Sequence, residues 1–172
     1  MGKLHVAVVG AARSGKTTAV CRIALTLRAR GLAVGGIAQP STRSGAAVTG
    51  YLLEDIATGE RHPFIRRDPA TSCPVFETEG WLWAAERIRA ARRSQDVLVV
   101  DELGLVEARG GGHLRALVEQ DVADRTDLWL LAVRDVAADA VQSRLGAFDL
   151  VVAPSVDASA LCAQINARLR QR

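Results

Sequence analysis

The feature that most constrains this chain is the run Gly10-Ala11-Ala12-Arg13-Ser14-Gly15-Lys16-Thr17, which fits the spacing G-x-x-x-x-G-K-[ST]. A short apolar segment, Leu4 to Val9, precedes it, and Val20, Ile23, Ala24 and Leu27 follow at helical spacing. Strand, glycine loop and helix therefore arrive in the order that aims loop N–H groups and the positive end of a helix at one point. Phosphate oxygens suit that point. The expected contacts run from Gly10 through Ala11, Ala12, Arg13, Ser14, Gly15, Lys16 and Thr17 to Thr18. Lys16 is placed to reach the β- and γ-phosphates of a nucleoside triphosphate, and the Thr17 hydroxyl to ligate Mg²⁺.

A second constellation agrees with the first. Val97-Leu98-Val99-Val100 is a continuous apolar run of the kind buried on both faces of a parallel sheet, and it ends in Asp101-Glu102. Asp101 then stands at the carboxyl end of a strand, where open α/β sheets bind ligands, and is the expected outer ligand for the same Mg²⁺. Glu102 is placed to orient an attacking water or take its proton. An acid directly after the metal-binding Asp marks the phosphate-loop branch in which a further strand separates the loop strand from the acidic one.

Periodicity supplies the rest of the frame. Helices are expected over Gly15–Arg30, Trp81–Arg93, a short stretch carrying Leu114, Leu117 and Val118, Val136–Leu145, and a last segment after Pro154. Strands are expected at Ala33–Ala38, Val75–Glu77, Leu128–Val133 and Asp149–Val152. Tyr51–Ile56 and Arg61–Ile65 form a hairpin about Thr58-Gly59, with Pro63, which lacks an N–H, arguing for an edge position. Gln39–Gly45, Arg66–Pro74 and Arg109–Gly112 read as loops. Strands alternating with helices indicate a mostly parallel sheet covered on both faces, with an antiparallel hairpin added, as one domain over 1–172.

Composition narrows the function classes. The formal charge is +3, and much of it comes from arginines on the expected helices (Arg22, Arg28, Arg30, Arg87, Arg89, Arg92, Arg93, Arg168, Arg170, Arg172). These read as solvated faces; nucleic-acid binding is not expected, since no basic block is interleaved with aromatics. Cys21, Cys73 and Cys162 are scattered without zinc spacing, which fits a reducing, cytoplasmic setting. No apolar run has the length of a membrane span. Residues 4–9 are too short for a signal core, and Val6 breaks a myristoylation pattern begun by Gly2. The only asparagine is Asn166, so no Asn-Lys-x-Asp guanine-reading motif exists.

The motifs together resemble the small nucleoside-triphosphatases first known from hyperthermophiles, whose animal relatives are called cancer-related nucleoside-triphosphatase. The resemblance rests on the phosphate loop, Gly35-Gly36-Ile37, Thr42-Arg43-Ser44-Gly45, Gly50-Tyr51, Thr58-Gly59-Glu60-Arg61, and Asp101-Glu102-Leu103-Gly104-Leu105-Val106-Glu107, close to D-E-[IL]-G-x-[ML]-E. It implies a RecA-like sheet and slow Mg²⁺-dependent hydrolysis of several nucleoside triphosphates. Arg43 matches the family motif and is the preferred cation for transition-state charge, with Arg134 as the other candidate. Glu107 either positions the neighbourhood of Glu102 or caps the loop after it. The chain departs from the family at Ala12 and Arg13, where Pro and Gly are usual, at Val48, where an arginine is usual, and in the glycine run after Glu107. Arg13 either adds charge against the phosphates or projects into solvent. Two other readings stay open: a nucleotide-dependent adaptor or switch with a protein partner that the residues do not identify, and a nucleoside or nucleotide kinase, for which the sequence shows no acceptor pocket.

Overall fold

The computed structural model describes residues 2–171 except 69, 72 and 121. Pro69 of the expected loop and Arg172 of the terminal arginines lie outside the described residues. The strands are β1 (Leu4–Gly10), β2 (Val34–Ala38), β3 (Ser41–Ser44), β4 (Ala47–Asp55), β5 (Arg61–Arg67), β6 (Pro74–Phe76), β7 (Val97–Leu103), β8 (Leu128–Arg134) and β9 (Leu150–Val152). The helices are α1 (Lys16–Ala29), α2 (Thr78–Ser94), α3 (Leu105–Ala108), α4 (Leu114–Val118), α5 (Ala138–Leu145) and α6 (Ala158–Leu169).

All nine strands form one sheet in the order β6-β5-β4-β2-β7-β8-β1-β9, with β3 paired to β4. From β2 to β9 the pairing is parallel; from β4 outward it is antiparallel. Alternation along each parallel strand feeds two cores. Val6, Val8, Val97, Val99, Leu128 and Leu130 pack with Val20, Ile23 and Leu27 of α1 and Leu161 and Ile165 of α6. Ala7, Leu98, Val100, Trp129 and Leu131 face the other way, onto Ala84 and Ile88 of α2, Leu117 of α4 and Val141 of α5. This is the three-layer, RecA-like arrangement expected. The expected extra strand is β8, hydrogen-bonded to β1 on one side and β7 on the other.

Gly36 explains one of the glycine pairs. Its φ is 112°, and a Cβ there would lie 2.0 Å from the Val99 carbonyl oxygen of the neighbouring strand. Close approach of β2 to β7 requires a residue without a side chain.

Several expectations need correction. Residues 41–44 are a strand, not loop: Thr42 pairs with Gly50 and its hydroxyl lies 3.0 Å from that of Thr49. Both of its faces are solvated, so no apolar alternation announces it. Arg66 and Arg67 continue β5 and Pro74 opens β6. Pro63 holds the edge position expected of it: β6 covers β5 only from Ile65 to Arg67, and Pro63 pairs on its other side with Leu52, beside a register shift that sets Tyr51 opposite Ile65. The antiparallel part is thus four strands rather than one hairpin. Arg92 is not on a solvated face: it is 5% exposed, with Nε donating to Asp124 (2.8 Å) and Nη1 to the Ala116 carbonyl (2.7 Å). Among the described residues no helix is long and apolar enough to cross a membrane.

Candidate active site

Parallel register brings the carboxyl ends of four strands together. Gly10 ends β1 opposite Arg134 at the end of β8, and Leu103 of β7 pairs with Val133. Gln39 follows β2, which lies beside β7. A cavity of about 310 Å³ opens at this end, lined by Arg13, Lys16, Thr17, Gln39, Arg43 and Glu102 among others.

The loop is curled by two left-handed residues, Arg13 (φ 60°) and Gly15 (φ 91°). Arg13 is the one non-glycine residue with positive φ among those described, and it stands where the family resemblance has glycine. Helix α1 starts at Lys16 with no side-chain cap and no acid in its first turn. Its first N–H groups and its dipole are therefore left for an anion. Lys16 is 3% exposed; its Nζ donates to the Ala11 carbonyl at 2.7 Å and lies 4.0 Å from Glu102 Oε2.

Asp101 is fully buried within β7, at the register shift between Val100 and Leu103. Its Oδ2 accepts from the Gln39 N–H at 2.9 Å, while Oδ1 completes no hydrogen bond. Burial pushes the carboxyl up to about 6, against the pull of the Gln39 N–H, the Thr17 hydroxyl and the Lys16 charge. Glu102, about a quarter exposed, puts Oε1 2.9 Å from Arg134 Nε and Oε2 toward Lys16. Of the two arginines weighed above, Arg134 is thus ion-paired to Glu102. Arg43 lies on β3 with Nη1 3.4 Å from the Ala46 carbonyl and lines the cavity. Thr18 and Val48 also line it.

Glu107 makes a contact on each side, to the backbone two residues after Glu102 and to the loop that follows. It is 3% exposed and accepts from Gly104 N–H (2.8 Å) and His113 N–H (3.0 Å), so it caps α3 and ties down the following glycine loop. The sequence reading missed Gln39 and Tyr51. Gln39 carried one usable signal, its place directly after a core strand that runs beside the acidic one.

His113 lies next to this loop. It is 2% exposed, packs against Trp81 (ring centroids 4.8 Å apart) and leaves Nε2 without a hydrogen bond. Burial lowers its pKa to about 3 from an ordinary value of 6.5. The folded chain holds it neutral, and the unfolded chain takes up a proton below about 6.5, so stability present above that pH is withdrawn as pH falls toward 3. Between pH 7 and pH 5 the loss is about 2 kcal/mol. Glu107, whose carboxyl burial raises above its ordinary value of 4.5, acts in the opposite sense as pH falls toward 4.5, because the folded state binds its proton first. Thermal melts of wild type and His113→Gln should show the variant losing less stability between pH 7 and pH 5; equal losses would remove His113 as the source.

Strand, glycine loop, helix and an acid pair one strand removed define a phosphate-loop protein of RecA-like strand order. The model of the family described as NTPase matches residues 5–152, and the chain belongs to that family. It is 30% identical over 117 residues to the nucleoside-triphosphatase THEP1 of Methanopyrus kandleri, covering 66% of this chain and 64% of that one. It is 34% identical over 107 residues to that of Pyrococcus abyssi, covering 60% of each. The chain thus spans under two thirds of the length of these curated relatives. The fold is similar to the solution structure of a human cancer-related nucleoside triphosphatase, with TM-score 0.71 and 20% identity over 98% of this chain and 99% of that one. It is also similar to the crystal structure of THEP1 from Aquifex aeolicus, with TM-score 0.62 and 18% identity over 98% and 100%.

Proposed function

We propose that this chain is a Mg²⁺-dependent nucleoside-triphosphatase, acting in the cytoplasm as a single domain and converting nucleoside triphosphate to diphosphate and phosphate. The observation that carries the proposal is the Glu102 carboxylate 4.0 Å from the Lys16 ammonium at the phosphate-loop cavity. A general base and a γ-phosphate-binding cation then face the same few ångströms of space.

Loop N–H groups from Gly10 to Thr18 hold the phosphates, and Lys16 turns from the Ala11 carbonyl to the β- and γ-oxygens. Glu102, held by Arg134, orients the attacking water and takes its proton as the bond to the γ-phosphorus forms and the bond to the bridging oxygen breaks. Arg43 meets the charge that develops on the γ-phosphoryl group. The buried Asp101 Oδ1, which completes no hydrogen bond, and the Thr17 hydroxyl are hard oxygen donors of the kind Mg²⁺ takes. Among the described residues no cluster of three His, Cys, Asp or Glu side chains forms a cage of its own, which fits a cation that shares its ligands with substrate phosphates. When bound, it neutralises charge on the β- and γ-phosphates.

The test is release of phosphate and diphosphate from ATP, GTP, CTP and UTP, with Mg²⁺ and with chelator. Equimolar products from all four, abolished by chelation, are expected; tight binding with no phosphate released would replace the hydrolase by the adaptor reading.

Arg13 gives a two-sided prediction. Replacing it by Gly relieves a left-handed conformation that costs an L-residue roughly 1–2 kcal/mol, offset by about 0.5–1 kcal/mol of added chain entropy. Arg13→Gly should therefore be as stable as wild type or up to about 1.5 kcal/mol more so. It should also turn over about tenfold more slowly, equivalent to about 1.4 kcal/mol of barrier, through lost charge near the phosphates. Denaturant unfolding and steady-state rates separate the two effects; an unchanged rate would leave Arg13 without a phosphate contact.

A further inference from the structure

A second cavity, of about 290 Å³, lies on the far side of Glu102. Its walls are Phe64, Phe76, Trp81 and His113, and its polar end carries Glu102 and Arg134. Glu102, Gln39 and Tyr51 line both cavities, so the two open onto the same carboxylate. The aromatic wall is built from separate elements. Phe64 comes from β5, Phe76 from the short edge strand β6 and Trp81 from α2. Phe76 stacks on Trp81 (5.6 Å, 20° between planes), and Trp81 stands edge-on to Phe64 at 4.6 Å. His113, 2% exposed, backs this wall against Trp81 and Phe64. Flat apolar walls with a charged end are the usual make-up of a site for a small ring-bearing ligand, and the volume is at the small end of the range for such sites.

Activating a water needs no such walls. We propose that this cavity binds a hydroxyl-bearing heteroaromatic compound of about nucleoside size, with its ring against Phe76 and Trp81 and its hydroxyl at Glu102, and that this compound accepts the γ-phosphoryl group. The proposal rests on the nucleotide site described above. The acceptor oxygen bonds to the γ-phosphorus as the bond from that phosphorus to the bridging oxygen breaks. The hydroxyl proton passes to the Glu102 carboxylate and then to solvent. The products are a nucleoside diphosphate and a phosphomonoester, and hydrolysis is the same reaction with water in the acceptor's place. A hydroxyl is the acceptor proposed because Glu102 can take its proton; Arg134, 2.9 Å from Glu102 Oε1, and Arg67 also line the cavity, so the monophosphate arm of the panel tests the choice of hydroxyl over phosphate.

The experiment uses the full chain with Mg²⁺ and γ-labelled ATP. The acceptor panel comprises adenosine, guanosine, cytidine, uridine and thymidine, their 5′-monophosphates, and pyridoxine as a non-nucleoside ring alcohol; labelled products are separated by chromatography. Label in a new phosphomonoester of one hydroxyl acceptor is expected, with ATP consumption at saturation at least about tenfold above that in water. In Phe76→Ala, at an edge-strand position 40% exposed, the acceptor KM should rise about tenfold, the effect of losing one stacked ring, while the KM for ATP moves little. Label only on monophosphates, label only in inorganic phosphate across the whole panel, or an acceptor KM indifferent to Phe76→Ala would each overturn the proposal. Phosphate release without acceptor is measured alongside: if it persists while transfer is absent, the acceptor site fails and the hydrolase reading stands. If neither occurs, both fail.

Discussion

Replacing Glu102 by Gln should slow phosphate release by about 10²–10⁴-fold, the span usual for loss of a general base, or about 3–5 kcal/mol of barrier. Nucleotide affinity should hold or improve. The substitution removes a negative charge 4.0 Å from Lys16 Nζ, where phosphate charge is to bind, and leaves an amide of nearly the same shape. The ion pair to Arg134, whose Nε lies 2.9 Å from Glu102 Oε1 without completing a hydrogen bond, loses its charge attraction, but the amide fills the same space, so the end of β7 should stay in place. Single-turnover phosphate release measured beside equilibrium binding of a fluorescent nucleotide checks both halves. A variant that binds and hydrolyses as wild type does would falsify the role given to Glu102, and a variant that no longer binds would assign the residue to the phosphate cradle instead.

Gly36→Ala is expected to produce the largest loss of stability. The new methyl would sit 2.0 Å from the Val99 carbonyl oxygen and 2.9 Å from the Val99 nitrogen, at a φ of 112°. That conformation alone costs a non-glycine residue about 1–3 kcal/mol, and the clash is with backbone in the middle of the sheet, which no rotamer change relieves. A total above about 4 kcal/mol is expected, a large part of the 5–15 kcal/mol typical of whole domains. Gly35→Ala is the control. Its Cβ would meet the Gln95 side chain at 2.8 Å, which can swing aside, so its effect should be much smaller. Denaturant unfolding of the pair, or soluble yield if Gly36→Ala does not accumulate, decides it; similar losses in both would locate the constraint elsewhere.

Some of this was legible in the sequence because each piece was local. The phosphate loop carries its strand before it and its helix after it, and Val97–Val100 shows burial on both faces by being apolar throughout. Ser41–Ser44 gave no such sign, since a strand with two solvated faces has no alternation to read. Helix α3 is four residues long, less than the periodicity needs, and depends on a buried carboxylate three residues into it. The aromatic cavity was invisible for another reason. Phe64, Phe76, Trp81 and His113 meet only because the sheet carries β5 and β6 side by side, and α2 and the residue before α4 come against them, and none of the four carries a local pattern pointing to the others. Gly35-Gly36 was visible as a motif but not as a cause; the neighbouring strand supplies that.

The interposed strand β8 sets a length scale. Glycine loop and acid pair end strands two places apart, and two strand spacings come to about 9.5 Å. The side chains bridge that backbone interval: Glu102 Oε2 comes to 4.0 Å from Lys16 Nζ. On the proposed reading, the interposed strand leaves between the two backbones a width that carboxylate and ammonium span together, so a phosphoryl group held at Lys16 meets Glu102 without leaving the loop.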